Sequence, residues 1–440
     1  MKPSVCSGAL VLMALLAVPA FAQQAPRPER PYRGLFASGD TGLEQHLSFN
    51  GSLGGGYDDN ILADALQHTN RVGPNASGPD GFLSNAGLGL TYSLNLDRFK
   101  LDASGHGGVR YYPSLEASSG SNQYVSSENG QIATSLRLTD ATSLSANAAV
   151  SRRPQNIDDL LPPVADLRVG PDTNDLDLPT TFDYYRRYGG SAGLTQKLSR
   201  QLTFHADYGQ HWSETPDGPG FTGRRAGAGL IAGVGRGLAL RAGYQYSEGD
   251  YLHTDGRRVE NHNIDAGIDY SRALSFSRRT TLSFSTGSSV VDHEGHRRYR
   301  ATGAANLAHE IGRTWTASLA YFRGVRIVET WTSPLFSDVM TASLGGLINR
   351  RIQVASSAGG SIRQLGVDSP HSGFTSYWAT TNVSIALNRH LNFGVNYLYT
   401  QHRFDTDVPL PTLWPQRGER QRVSAHIGVW VPLLERTRRP

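Results

Sequence analysis

Eight short polar turns, each stepping from one alternating apolar run into the next, recur along this chain at intervals of roughly 40 residues. They read Leu96-Asp97-Arg98-Phe99, Leu138-Thr139-Asp140-Ala141-Thr142-Ser143-Leu144, Leu198-Ser199-Arg200-Gln201-Leu202 and Val234-Gly235-Arg236-Gly237-Leu238. The same phrase continues as Leu274 to Leu282 around Arg278-Arg279, Ile311-Gly312-Arg313-Thr314-Trp315, Ile348-Asn349-Arg350-Arg351-Ile352 and Leu387-Asn388-Arg389-His390-Leu391. Most of these turns carry an Arg or an Asp. The runs between them alternate with a period of two: Leu88, Leu90, Tyr92, Leu94 and Leu96 against Gly87, Gly89, Thr91, Ser93 and Asn95. That is the spacing of a strand with two unlike faces, and a helix has no use for it.

Eight turns join sixteen strands, and the phase asks for one more strand before the first turn and one after the last. The expected fold is therefore all-β: a transmembrane antiparallel up-and-down barrel of about 18 strands, each with roughly 9–11 residues in the membrane. Sixteen is the alternative count, because stretches such as Gln123 to Arg137 are weakly patterned. The first strand is expected near His46 to Tyr57 and the last near Arg422 to Leu433, so the barrel occupies 46–433.

The N-terminus is a signal peptide over 1–22: Lys2, an apolar stretch from Ala9 to Val18, then the small-x-small site Ala20-Phe21-Ala22 before Gln23. Residues 23–45, with Pro26, Arg27, Pro28, Arg30 and Pro31, read as a flexible periplasmic lead-in, and 434–440 as a basic C-terminal tail. The one cysteine, Cys6, lies in the signal peptide, so the mature chain has neither a disulfide framework nor a cysteine metal site. Beyond that peptide no run approaches the ~18 apolar residues of a membrane helix. A barrel wall escapes such a search, since lipid-facing and lumen-facing residues alternate, and 49 glycines fit it. A net charge of +4 implies no nucleic acid. Only Lys2, Lys100 and Lys197 are lysines among 42 basic residues. That bias follows either from a GC-rich genome or from guanidinium groups pairing with lipid phosphates or lumen carboxylates.

Long loops at 58–81, 113–122, 154–181, 213–221, 249–259, 292–297, 328–336, 365–373 and 405–417 form the outer surface, which leaves the short turns and both termini periplasmic. The expected setting is a Gram-negative-type outer membrane, with lipid, lipopolysaccharide and the barrel-insertion machinery as partners. Tyr111, Tyr112, Tyr184, Tyr185, Tyr188, Tyr208, Trp212, Tyr244, Tyr246, Tyr321, Tyr377, Trp378, Tyr397 and Tyr399 gather beside those loops. There they read as an interfacial girdle.

With Phe99, Leu101 and Ala103 on the lipid phase, Lys100, Asp102, His106 and Arg110 face inward, joined by His205, Asp207, Arg241, Asp265 and Asp269 from other strands. Charges of both signs on the wall of an aqueous bore either filter solutes or merely solvate it and bridge across it. The loop 154–181 carries Asp158, Asp159, Asp166, Asp172, Asp175 and Asp177 among prolines. It lacks the Gly and terminal Glu of a calcium loop and reads better as a solvated acidic loop than as a cation site. There is no H-E-x-x-H, no G-x-S-x-G and no phosphate-cradling Gly-Lys-Ser/Thr turn, so neither enzyme, metal nor cofactor is expected.

The stretch Gly54-Gly55-Gly56-Tyr57-Asp58-Asp59-Asn60-Ile61 resembles the G-Y-D-D-N-hydrophobic signature of the beta-barrel porin type 2 family, outer-membrane barrels often associated with exopolysaccharide systems. The resemblance implies a barrel pore and a role in passing or exporting a polysaccharide. Read from the residues alone, Asp58, Asp59 and Asn60 cap a strand and form an Asx-type turn into the first loop. Barrels of this kind commonly finish on an aromatic, whereas here Pro432 and the basic tail follow Trp430. The function expected is a porin or channel for small hydrophilic solutes, carbohydrate among them. The competing class is a closed structural or surface-receptor barrel whose loops bind a partner.

Overall fold

Period-two alternation becomes a wall of eighteen strands in the computed structural model, which describes residues 43–61, 80–113, 123–154, 184–214, 220–235, 237–251, 258–274, 277–293, 296–327, 334–365, 373–406, 408 and 416–437. In chain order they are β1 (Leu43–Asp58), β2 (Gly81–Asn95), β3 (Phe99–Tyr111), β4 (Tyr124–Arg137), β5 (Thr142–Pro154) and β6 (Tyr184–Lys197). Then come β7 (Leu202–Glu214), β8 (Phe221–Gly235), β9 (Leu238–Tyr251), β10 (Arg258–Leu274), β11 (Ser277–His293) and β12 (His296–Ile311). The last six are β13 (Trp315–Arg326), β14 (Leu335–Leu347), β15 (Ile352–Leu365), β16 (Gly373–Ala386), β17 (Leu391–Phe404) and β18 (Arg417–Thr437). Each strand pairs antiparallel with its neighbours in sequence, and β18 pairs with β1, so one sheet closes on itself. The weakly patterned Gln123 to Arg137 stretch is β4, which makes the count eighteen rather than sixteen.

Two boundaries differ from the sequence expectation. β18 continues through Thr437, because its last residues pair with the start of β1 as far as Leu43. Backbone pairing, not side-chain pattern, sets that end. The hairpin around 274–282 turns between Leu274 and Ser277, which pair with each other, so Arg278 and Arg279 stand in β11 rather than in the turn. Residues 1–42, the acidic loop over 155–181 and the last three residues lie outside the described part.

The repeated turn has a definite chemistry. In four of them a side-chain oxygen directly after the apolar residue accepts the amides two and three residues on. Thr139 Oγ1 takes Ala141 and Thr142 at 3.1 and 3.0 Å, and Ser199 Oγ takes Gln201 and Leu202 at 3.2 and 3.0 Å. Asn349 Oδ1 takes Arg351 and Ile352 at 2.8 and 3.0 Å, and Asn388 Oδ1 takes His390 and Leu391 at 2.7 and 2.9 Å. In these four turns the Ser, Thr or Asn oxygen makes the bend rather than the Arg or Asp that follows it. Two other turns use glycine at positive φ, Gly237 at 79° and Gly312 at 62°.

The strand ends that the short turns join lie at one rim of the barrel, together with the start of β1 and the end of β18; the strand ends that lead into the long connections lie at the other. The outer face is apolar and bare, with Leu53, Phe82, Leu88, Leu90, Ile132, Ile362 and Ile427 all exposed. Water does not tolerate so continuous an apolar belt, and a bilayer does, so the strands span a membrane. Tyr188, Tyr208, Trp212, Tyr244, Tyr321 and Tyr377 stand on this outer face. Three members of the expected girdle do not: Tyr112 and Trp378 are buried on the inner face at 0% and 2% exposure, and Tyr185, opposite Arg153, has the same inward phase. Proximity to a loop grouped them with the others, but their phase on the strand turns them inward.

The face assignment predicts opposite responses to the same new charge. Leu88→Arg, on the outer face near mid-strand, costs about 2–4 kcal/mol of folding stability, while Asn147→Arg on the inner face leaves it nearly unchanged. Reversible urea unfolding in lipid vesicles measures both; equal losses would overturn the assignment.

Candidate functional site

The inner wall is not uniform. On β4 and β5 the inward residues Gln131, Ala133, Ser145, Asn147 and Ala149 are exposed although the sheet covers their other side, so they front open space. On the opposite arc, from β14 through β18 into β1 and β2, inward residues are packed against one another: Ser357, Ser376, Ser384, Asn392, His402 and His426 are buried. Polar bonds run across that arc. Ser384 Oγ donates to Asn382 Oδ1 at 2.8 Å, Asn382 bonds Asn396, and Asn396 meets His426 Nδ1 at 3.4 Å.

Glycine makes this packing flat. A Cβ on Gly394 would sit 2.3 Å from the His426 ring, and one on Gly89 would sit 2.4 Å from His106. The same relation holds for Gly223 under His211, Gly418 under His402 and Gly359 under Trp378. Each inward ring lies along the wall over a neighbouring strand's glycine instead of projecting into the lumen.

The charged residues expected to face the lumen fall into two separate groups. Lys100, Asp102, His106 and Arg110 run up the inner face of β3, from an exposed lysine and aspartate near the turn rim to Arg110, 2% exposed, near the loop rim. Arg110 Nη1 donates to Tyr112 Oη at 3.2 Å. On β7 to β10, Arg225 pairs with Asp207 at 3.3 Å and Arg241 with Asp269 at 3.3 Å, with His205 inside the field of Asp207 and Arg241. Asp265 is on β10 opposite Gly243, and its side chain lies outside the described part. The structure does not bring these two groups into one constellation. Among the described residues no three His, Cys, Asp or Glu side chains converge on a common metal position.

The glycine-rich stretch before Tyr57 and the Asp58-Asp59-Asn60 that follows sit where β1 meets β18. Gly54 and Gly56 let β18 approach: a Cβ on either would stand 2.5 or 2.3 Å from a carbonyl oxygen of that strand. Above them Asp58, fully buried, receives a fork from Arg420, with Nη2 to Oδ2 at 2.6 Å and Nε to both oxygens at 3.1 Å. Asp58 Oδ1 also accepts the Asn60 amide at 3.1 Å, the expected Asx turn, and Asn60 Nδ2 donates to the Glu419 carbonyl at 2.8 Å. Asp59 completes the lock: its amide donates to the Gln421 carbonyl at 3.1 Å and its Oδ1 accepts the Gln421 amide at 2.6 Å. Burial raises the Asp59 carboxyl above its ordinary value, and the Gln421 N–H opposes that shift. Tyr57 turns outward and bonds Asp80. Sequence inspection missed Arg420, although Arg420, Arg422 and His426 share one phase of the final strand.

The loop-side mouth is narrowed from within. Phe221, Tyr251 and Val259 form an inward apolar cluster on β8, β9 and β10, and Ile327, just past the end of β13, packs onto it. The chain there leans across part of the lumen. Arg326 goes with it, close enough to feel the charge of Arg187 on β6, while Arg363 on β15 feels that of Arg326. A second inward cluster, Ile61, Leu83, Tyr112 and Val125, lines the mouth beside the seam.

The buried seam pair yields a clear expectation. Asp58→Ala leaves the Arg420 guanidinium buried without its carboxylate and costs about 3–5 kcal/mol, whereas replacing both partners by apolar residues of similar volume recovers most of that loss. Unfolding of the single and double variants in vesicles checks it; additive losses would show that the two residues act independently.

No family model matches the sequence, and no curated protein does. Among solved structures, OccK2 (OpdF) of Pseudomonas aeruginosa in complex with glucuronate is similar over 89% of this chain and 99% of its own, at 10% identity and a TM-score of 0.45. The siderophore receptor PirA from Pseudomonas aeruginosa covers 88% of this chain and 80% of its own, at 8% identity and 0.43. The FrpB iron transporter from Neisseria meningitidis covers 87% and 67%, at 9% identity and 0.46. At such scores, functional argument rests on the wall's own residues.

Proposed function

We propose that this barrel is an outer-membrane channel for small hydrophilic solutes, with its short turns and both termini in the periplasm. The observation that carries the reading is the exposed inner face of β4 and β5, where Gln131, Ser145 and Asn147 meet open space while Ile132, Leu144 and Val150 face the opposite way toward lipid. A wall so divided encloses water, and a solute moves along it by exchanging hydrogen bonds with amides and hydroxyls. The flat side chains of the opposite arc keep the passage from filling. Carbohydrate is the solute we assign, on the resemblance carried by Gly54 to Ile61 and on the amide-rich inner face. Export of a polysaccharide belongs to the same assignment.

A second reading has one observation in its favour. Ile327 seated on Phe221, Tyr251 and Val259 narrows the mouth, as a gated barrel or a closed surface receptor would require. Lipopolysaccharide and bilayer lipid surround the barrel in either case.

Reconstitution into planar bilayers separates the two. The channel reading expects stepwise conductance that scales with salt concentration, and Ile327→Ser is expected to raise the open fraction. Absence of steps at any salt would sink the channel and leave the receptor. Uptake of neutral oligosaccharides into liposomes then tests the solute, and exclusion of every oligosaccharide from a conducting channel would overturn the carbohydrate assignment.

A further inference from the structure

Among the described residues, Arg363 at the mouth is a positive charge with no hydrogen-bonding counterpart. Arg363 is 2% exposed on the inner face of β15, and its Nε, Nη1 and Nη2 all lie buried with no hydrogen-bond acceptor. Its Cζ stands 5.1 Å from the centre of the Phe374 ring on β16. Four other inward arginines have partners: Arg420 has Asp58, Arg225 has Asp207, Arg241 has Asp269 and Arg110 has the Tyr112 hydroxyl. Arg363 instead has a second cation, Arg326, as its neighbour, and Arg187 adds a third positive charge beyond that.

A guanidinium keeps its charge, so burial without an acceptor is a state that a bound anion relieves. The Phe374 ring contact contributes a cation–π attraction but supplies no acceptor for the N–H groups. The edge of the guanidinium is a planar fork of donors that matches two oxygens of a carboxylate or phosphate. Cations are repelled from such a cluster. A lipid phosphate does not reach it, because Arg363 and Arg326 face the lumen and not the bilayer.

We propose that Arg363 and Arg326 form an anion-binding subsite at the mouth of the bore, which takes the carboxylate or phosphate group of an entering solute. This deepens the channel reading and rests on it for its role in transport, though the site itself does not need the channel to conduct. The segment bearing Arg326 also bears Ile327, so an anion drawn between the arginines acts on the same stretch of chain that narrows the mouth.

The experiment uses the full chain folded in detergent micelles and follows the temperature at which the compact barrel converts to the extended form on electrophoresis. Chloride, acetate and inorganic phosphate are compared at constant ionic strength. The expected result is stabilisation by acetate or phosphate that saturates, which a general salting effect does not do. Arg363→Gln weakens the apparent affinity about tenfold or more, equivalent to about 1.4 kcal/mol per factor of ten. Arg363→Lys and Arg326→Gln weaken it less and serve as the test should Arg363→Gln fail to fold. A larger response to acetate assigns a carboxylate; a larger one to phosphate assigns a phosphate. In bilayers the reversal potential in a potassium chloride gradient is expected to indicate anion preference, reduced in Arg363→Gln. No saturable response in the parent protein, or the same response in all variants, overturns the subsite. Saturable stabilisation without any conductance retains the subsite and rejects the channel.

Discussion

A sheet immersed in hydrocarbon has nowhere to leave an unpaired amide, and everything else in this molecule depends on the one junction where no local turn helps to meet that condition. Seventeen ladders form between neighbours in the chain; the eighteenth joins strands separated by nearly its whole length. No short turn brings these two strands together, and closing the ring carries an entropic cost, so the junction needs interactions of its own. Glycines on β1 permit the approach, and a carboxylate that is fully buried only when β18 is in register meets Arg420 across it. The pair is of limited worth as a net stabiliser. Its value is selectivity of register: a slip by one residue would place Arg420 on the lipid face and leave Asp58 alone.

The lumen shows a second economy. Histidine, asparagine and tryptophan side chains that would crowd an eighteen-stranded bore are laid over glycine, strand by strand, and Asn396 and His426 bond along the wall. Asn382, Asn396 and His426 Nδ1 bond sideways rather than across the lumen, while Trp378 Nε1 and His426 Nε2 are buried with no hydrogen-bond partner among the described residues. This explains why one arc looks buried while the opposite arc stays open, and why the charges on β3 and on β7 to β10 form separate groups rather than a single filter.

How much of this was legible beforehand follows from the range of each interaction. Alternation is a local property, so strand number and the inward phase of Lys100, Asp102, Asp207 and Arg241 could be read directly. Turn positions could be read too, though in four of them the working atom is a Thr, Ser or Asn oxygen beside the more conspicuous Arg or Asp. Tyr112, Tyr185 and Trp378 lie beside loops as the girdle residues do, but their phase on the strand turns them inward. The partnership of Asp58 with Arg420 spans 362 residues and leaves no mark on either local pattern. The isolation of Arg363 is harder still to foresee, since it is a statement about what β13 and β16 bring near and what they do not.

The glycines beneath the rings have a consequence for how such a wall can change over time. Strand number, register and the lipid belt are set by many residues acting together, so they resist single substitutions. The contour of the passage is set by methyl groups that are missing. One added methyl at Gly394 or Gly89 would displace His426 or His106 from its rest and tip it toward the centre, while every ladder stayed paired. Calibre and permeant size are therefore open to adjustment one atom at a time, on a scaffold that does not have to be rebuilt.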